Sequence, residues 1–221
     1  ENITAEGLSF SYTEGEPVLE NLSQTFEKDK IYCLAGRNGS GKSTLADVLL
    51  GLYVSDADPS VKYNGVPLQD VDLYEMRANH TGVSEQEPMM LRGSIGFNIT
   101  CREDGAGDGE RLRELLEMVD FRKGEVDTRD LEALLALDAN ELSGGQKQKV
   151  SIVKALYKDP ELLVMDEPTS ALDAESRRRL AGYLKAHAKG RITILVSHDQ
   201  ELLDIADEVV CLGKEQVAGG L

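Results

Sequence analysis

The run KIYCLAGRNGSGKSTLADVLLGL, residues 30–52, leaves this chain few ways to fold. Its apolar opening, KIYCLAG, reads as a buried strand that breaks into a glycine-rich turn. Beyond the turn, Leu45, Val48, Leu49 and Leu52 recur at i, i+3, i+4 and i+7, the spacing of a helix with one apolar face. That stripe has to lie on a sheet to be buried, so strand, loop and helix form the start of a βα crossover. The alternation returns near the C-terminus, where ELLVMD, ITILVSH and EVVCLG read as strands. A helix from about Ala174 to Lys189, stopped by Gly190, is expected between the first two. Strands alternating with helices imply a mostly parallel sheet.

The rest of the chain differs in character. GLSFSY reads as a strand, and VKYNGVPL, with its Asn-Gly turn, as a hairpin. Between residues 87 and 158 strand signals are scarce. There GAGDGERLRELLEMVDF opens on a flexible Gly/Asp cluster and then sets Leu112, Leu115, Leu116 and Val119 on one helical face. DTRDLEALLALDAN also reads as helical. The expected organisation is a core of residues 1–86 and 159–221 with a helical subdomain, 87–158, inserted into it.

Composition narrows the function. With 221 residues, 41% of them hydrophobic and 29% charged, the chain can bury a core. It contains no apolar run near the roughly 18 residues of a membrane span, and no signal-like N-terminus. A net charge of −16 argues against a nucleic-acid partner. Three widely spaced cysteines, Cys33, Cys101 and Cys211, suit a reducing compartment, with Cys33 and Cys211 expected in the core. Because the chain opens on Glu1 rather than Met, a piece of a longer polypeptide or a trimmed subunit is expected.

Three stretches carry chemistry. GRNGSGKST fits the G-x-x-x-x-G-K-[ST] pattern. Its glycines let successive N–H groups turn inward on phosphate oxygens, and the following helix adds its positive end. Gly36, Asn38, Gly39, Ser40, Gly41, Lys42, Ser43 and Thr44 are therefore the candidate phosphate cradle, with Lys42 for the β- and γ-phosphates and the Ser43 hydroxyl for Mg²⁺. In LLVMDEP, at a strand end, Asp166 is placed to hold Mg²⁺. Glu167, leaving the strand in the opposite direction, is placed to orient or deprotonate an attacking water. The third stretch, LSGGQKQKV, sets two glycines at a helix start, where each costs stability unless something needs the room. In isolation Ser143, Gly144 and Gly145 read first as a plain helix N-cap; the Ser143 hydroxyl and the bare glycine N–H groups at a helix start can also make an anion site.

LSGGQ, then DEPTSALD, then VSHD, all downstream of the phosphate loop, resemble the ATP-binding domain of ATP-binding cassette (ABC) transporters over nearly the whole chain. The resemblance implies an α/β fold: a P-loop NTPase core with a mostly parallel sheet, an antiparallel N-terminal β-subdomain and an inserted helical subdomain. It implies ATP and Mg²⁺ as ligands and a head-to-tail pair of cassettes, homo- or heterodimeric. In such a pair the signature of one, Ser143, Gly144, Gly145 and Gln146, closes over the ATP of the other. It further implies that Tyr12 stacks on adenine and that Gln86 contacts Mg²⁺ or the attacking water. Asp173 then reaches across the pair, and His198 holds the γ-phosphate. Transmembrane domains in the same or another chain complete the assembly, at the cytoplasmic face of a membrane. Lys147, Lys149 and Lys154 stand where the family usually has arginines, and ALDANELSGG lacks a glycine common in exporters. QEPMMLRGSIGFNI resembles the exporter type, while importer membership stays open.

The function expected is that of a transport motor, ATP hydrolysis driving substrate movement, with export the expected direction. The alternative is a non-transport ABC ATPase of DNA repair, chromosome organisation or translation. Those interrupt the core with a coiled coil or join two cassettes, and this chain does neither. A cassette that only binds ATP is disfavoured by the presence of Glu167 and His198.

Overall fold

The computed structural model describes residues 1–13, 15–53, 60–105 and 107–213. In chain order the elements are β1 (Asn2–Ser11), β2 (Pro17–Glu27), β3 (Lys30–Ala35), α1 (Lys42–Leu49), β4 (Val61–Tyr63), β5 (Val66–Pro67), α2 (Leu73–Glu75), β6 (Thr81–Ser84), α3 (Ile95–Thr100), α4 (Gly109–Met118), α5 (Leu131–Ala136), α6 (Gly144–Tyr157), β7 (Leu162–Asp166), α7 (Ala174–Ala186), β8 (Ile192–Val196), α8 (Gln200–Leu203) and β9 (Glu208–Cys211). The fold is α/β, with parallel strand pairings and a separate antiparallel sheet. Contacts divide the chain into two compact units, Glu1–Asn79 with Ala188–Leu221, and His80–His187. The stretch 87–158 expected to be helical lies within the second unit, and its named elements α3 to α6 are all helices.

In the first unit the antiparallel sheet has the order β2-β1-β4-β5, and the VKYNGVPL hairpin is β4–β5, turning at Asn64 and Gly65 with positive φ. β1 does not keep strict alternation. Ile3 and Ala5 are buried, the register with β2 slips between Ala5 and Leu8, and Leu8 is buried next. Gly7, at φ +63, takes up the irregularity and donates its N–H to Ser23 Oγ at 2.9 Å. One extra residue in a strand moves every later side chain to the other face. Phe10 and Tyr12 therefore share the face of Leu8, and their rings touch.

The parallel strands of this unit run β8-β3-β9, with Tyr32 opposite both Ile194 and Glu208. β3 is buried along its centre, and α1 lays Leu45, Val48 and Leu49 into the core. Leu52 does not join them: α1 ends at Leu49 and Leu52 is 53% exposed, because the chain leaves the helix at Gly51, φ +69. Cys211 is exposed as well, contrary to the expected core position. β9 pairs with β3 on one side at the end of its sheet, and of its residues only Val210 is buried. Cys33 is buried, its Sγ donating to the Ser197 carbonyl at 3.6 Å.

In the second unit β6 and β7 pair in parallel, Thr81 opposite Leu162 and Ser84 opposite Met165. α6 crosses β6 closely: a Cβ on Gly82 would sit 2.2 Å from the Ala155 carbonyl oxygen. α4 buries Leu112, Leu115, Leu116 and the adjoining Val119, as its spacing implies. In the Gly/Asp cluster before α4, Ala106 lies outside the described residues. Arg111 on α4 reaches the end of α6, donating through Nε to the Tyr157 carbonyl at 3.1 Å and through Nη2 to that of Leu156 at 2.8 Å. The helix expected to run to Lys189 stops at Ala186, where the His187 ring folds back onto Tyr183 at 4.0 Å. Asn98, buried in α3, clamps the segment after β6 by bonding both the N–H and the carbonyl of Leu91. No helix among the described residues is long and apolar enough to cross a membrane.

Candidate nucleotide site

The loop between β3 and α1 is built from backbone that only glycine supplies cheaply. Gly36, Gly39 and Gly41 have φ of 151, 79 and 91, outside the usual range of L-residues. A Cβ at Gly36 would lie 2.5 Å from the Leu212 carbonyl oxygen, and one at Gly41 2.8 Å from a Leu19 methyl. Residues 37–39 are exposed on the rim. Lys42 is buried, only 8% exposed, and folds back to donate to the Gly36 and Arg37 carbonyls at 2.8 and 3.1 Å. Ser40 Oγ is buried and has no hydrogen-bond partner among the described residues. The helix that follows is open at its positive end: α1 has no side-chain cap and no acidic residue in its first turn. The other α-helices among the described residues, α2 to α8, each carry one. An uncapped helix start beside an orphan hydroxyl and a lysine is a place for an anion.

Tyr12 bridges from β1 to this loop, its hydroxyl 3.1 Å from Thr44 Oγ1, and its ring is 56% exposed. It packs edge-on against Phe10 and against Tyr53, an exposed aromatic just past α1 that sequence spacing did not mark. The Tyr12 phenol beside it, and desolvation second, hold the Tyr53 phenol above the ordinary tyrosine range. His198 completes the candidates in this unit. It is exposed, set between Ser197, whose carbonyl accepts from Cys33, and Asp199, which caps α8.

The second unit holds the other candidates. Asp166 ends β7, half-buried. Glu167 does not simply alternate with it, as a continuing strand would require. It lies past the strand with φ 44, a left-handed conformation that costs a non-glycine residue about 1 kcal/mol or more. Strain of this kind at a single acidic residue aims its side chain by backbone geometry rather than by pleat. Ser143 caps α6, and the cap is reciprocal: Ser143 Oγ accepts from the Gln146 N–H at 3.3 Å, and Gln146 Oε1 accepts from the Ser143 N–H at 3.0 Å. Gln146 Nε2 donates to the Arg122 carbonyl at 2.8 Å, so both ends of this amide are engaged within the chain. Asp173 caps α7, accepting from the N–H groups of Glu175 and Ser176, and its carboxyl is held below the ordinary range chiefly by the Ser176 N–H.

Gln86 is brought to the signature: it lines a cavity of about 470 Å³ with Gly144, Gly145, Lys147, Gln148 and Ser170. Gln148 was not legible as a site residue. It is 3% exposed with its Nε2 unpaired among the described residues, and the available signal was a polar residue four places after Gly144, on the helix face that turns inward. No group of three or more His, Cys, Asp or Glu among the described residues could hold a metal by itself.

Known proteins identify the pattern. Residues 19–170 match the sequence model of the ABC transporter family. The chain belongs to that family. It is 32% identical over 217 residues to an ATP-dependent lipid A-core flippase of Alcanivorax borkumensis, covering 98% of this chain and 37% of the flippase. An ABC transporter ATP-binding protein of Sinorhizobium fredii is 33% identical over 218 residues, covering 98% of this chain and 36% of that protein. Among solved structures, a bacterial Atm1-family ABC exporter with ATP bound superposes with a TM-score of 0.81 at 25% identity, over 96% of this chain and 37% of that one. The chain thus spans a little over a third of the length of these relatives. The family is one of ATPases whose hydrolysis is coupled to transport, and the α/β fold of this cassette is the family's P-loop fold.

Proposed function

We propose that this cassette binds and hydrolyses Mg-ATP as one half of a head-to-tail pair, identical or not, and so drives an exporter. Its transmembrane domains lie in the same or another chain, with the cassettes on the cytoplasmic face of the membrane. The observation that carries this reading is the emptiness around the signature glycines. Apart from the backbone of its own helix and its chain neighbours, a Cβ on Gly144 would meet no heavy atom of the described residues within 4 Å, and one on Gly145 would make only an ordinary 3.6 Å contact with Ala171. Neither glycine has positive φ. The chain's own packing needs neither to be bare, in contrast to Gly82, which leaves room at the start of α6 for something from outside the chain. The start of α6, with Ser143 exposed beside it, fits the γ-phosphate of an ATP held by the partner's loop. The relatives named as a flippase and an exporter support the coupling to export.

In this reading the core is the expected 1–86 and 159–221, and the helical subdomain 87–158 brings the signature to the partner. Tyr12 offers its exposed ring to adenine. Residues 36–44 take the phosphates: the uncapped start of α1 receives them, Ser40 Oγ gains its missing partner, and Lys42 exchanges two carbonyl acceptors for β- and γ-phosphate oxygens. Mg²⁺, when bound with the nucleotide, offsets phosphate charge and polarises the γ-phosphoryl group. Ser43, Asp166 and Gln86 would hold it, a sparse donor set that suits an ion keeping its waters and bound largely through substrate phosphates. Glu167 orients the attacking water and accepts its proton as the water oxygen bonds to the γ-phosphorus and the bond to ADP breaks. His198 keeps the γ-phosphate and that water in register. Loss of the γ-phosphate removes what joined the two half-sites, and the pair reopens.

Phosphate release per molecule from Mg-ATP, measured as the cassette concentration rises, tests this. The rate is expected to climb with concentration and to collapse in Glu167→Gln and in Ser143→Arg. A concentration-independent rate that survives Ser143→Arg would mean a self-contained site and would overturn the pairing.

A further inference from the structure

We propose that Tyr53 is a positioning residue for base recognition, holding the Tyr12 ring in place for a purine; this rests on the reading of Tyr12 above. Three rings close a triangle at the surface of the first unit: Phe10–Tyr12 at 5.0 Å, Phe10–Tyr53 at 5.1 Å and Tyr12–Tyr53 at 5.4 Å between centroids. Both neighbours meet Tyr12 near a right angle, 89° for Phe10 and 83° for Tyr53, so neither stacks flat on it as a base would. The far end of the ring is tied down through its hydroxyl to Thr44, the last residue of the phosphate loop. Position, tilt and reach of the Tyr12 ring are thus set by three contacts.

Those contacts do not have equal origins. Phe10 follows from the strand, two residues away on the same face. Thr44 belongs to the loop itself. Tyr53 arrives from beyond the other end of α1, and nothing in the local pattern requires an aromatic there. Burial does not explain it either, since Tyr53 is 41% exposed. Two aromatic rings left open to water beside a cavity of about 550 Å³, lined also by Leu8, Val48 and Gln69, are matched to a flat apolar ligand. A base stacked on Tyr12 is such a ligand, and edge-to-face support from Tyr53 keeps Tyr12 from swinging away when the base is absent.

The test compares a ligand with a base and one without, using the whole chain: calorimetric titration with Mg-ADP and with Mg-pyrophosphate. Tyr53→Ala is expected to weaken Mg-ADP about 2- to 12-fold, the worth of one edge-to-face aromatic pair, and to leave Mg-pyrophosphate unchanged. Tyr53→Phe, which keeps the ring, restores Mg-ADP binding. In a Tyr12→Ala background, removal of Tyr53 brings no further loss. Equal weakening of both ligands would show that Tyr53 merely stabilises the fold, and an undiminished loss without Tyr12 would show that it acts independently of that ring. Either result overturns the proposal. If Tyr12→Ala alone leaves Mg-ADP binding intact, the base-stacking role of Tyr12 itself fails, which is a separate and recognisable result.

Discussion

Replacing Gly144 with alanine separates what the cassette needs in order to fold from what it needs in order to work. Gly144 is the first residue of α6, its φ is not positive, and no other element among the described residues lies within 4 Å of where its Cβ would be. Alanine narrows the unfolded ensemble and favours the helix, a gain of about 0.5 kcal/mol at such a compatible position. For a chain of this size that is a rise in Tm of roughly 1–2 °C. The same methyl occupies the space proposed for a partner's γ-phosphate. A misplacement of that order in a reacting pair costs about a hundredfold. The control is Gly82→Ala, whose Cβ would lie 2.2 Å from the Ala155 carbonyl oxygen and 2.8 Å from Pro160, against backbone that cannot yield cheaply. That overpacking is expected to destabilise by about 3 kcal/mol. Thermal melts and concentration-dependent phosphate release on the two variants decide the matter. Gly144→Ala should melt at or above wild type and lose hydrolysis. Full hydrolysis by a folded Gly144→Ala, or a melt several degrees below wild type, would refute the idea that its clearance serves a partner.

Two further perturbations probe the frame that carries the site. Arg111→Met removes two charge-assisted bonds to the last carbonyls of α6 and should lower stability by about 2 kcal/mol, read as a shift in urea midpoint; an unchanged midpoint would show that water replaces the guanidinium without loss. Asp173→Ala should lower Tm at neutral pH by removing the cap of α7. Because the folded carboxyl is held below its ordinary value of 3.8, its contribution is complete above that value and is lost as the pH falls through the lowered one. The gap in Tm between wild type and variant should therefore close only under acid conditions below pH 3.8, and a gap that already closes near neutrality would exclude the carboxylate as its source.

Local chemistry was legible in the amino-acid sequence because it is carried by consecutive residues. A cradle of N–H groups needs glycines at adjoining positions, so GRNGSGKST announces its loop before any fold is known. An amphipathic stripe needs only its own spacing, so Leu112, Leu115, Leu116 and Val119 announce a buried face. The order of phosphate loop, LSGGQ and DEPTSALD was enough to indicate the family.

What those side chains meet was decided only by tertiary structure. Leu52 keeps the helical spacing yet faces water, since α1 ends before it, and Cys211 alternates out of an edge strand. Strand periodicity could not foresee the left-handed turn at Glu167, nor could composition foresee Gln146 spending its amide on its own helix cap and on Arg122. Tyr53 meets Tyr12 only after α1 has carried it there. Gly82 and Gly144 make the same point most simply. They are the same residue in the sequence, but one is crowded by the backbone of α6, while the other meets no other element among the described residues within 4 Å. Spacing determines which way a side chain leaves its own element; what occupies that direction comes from residues far along the chain, and only the folded molecule brings them there.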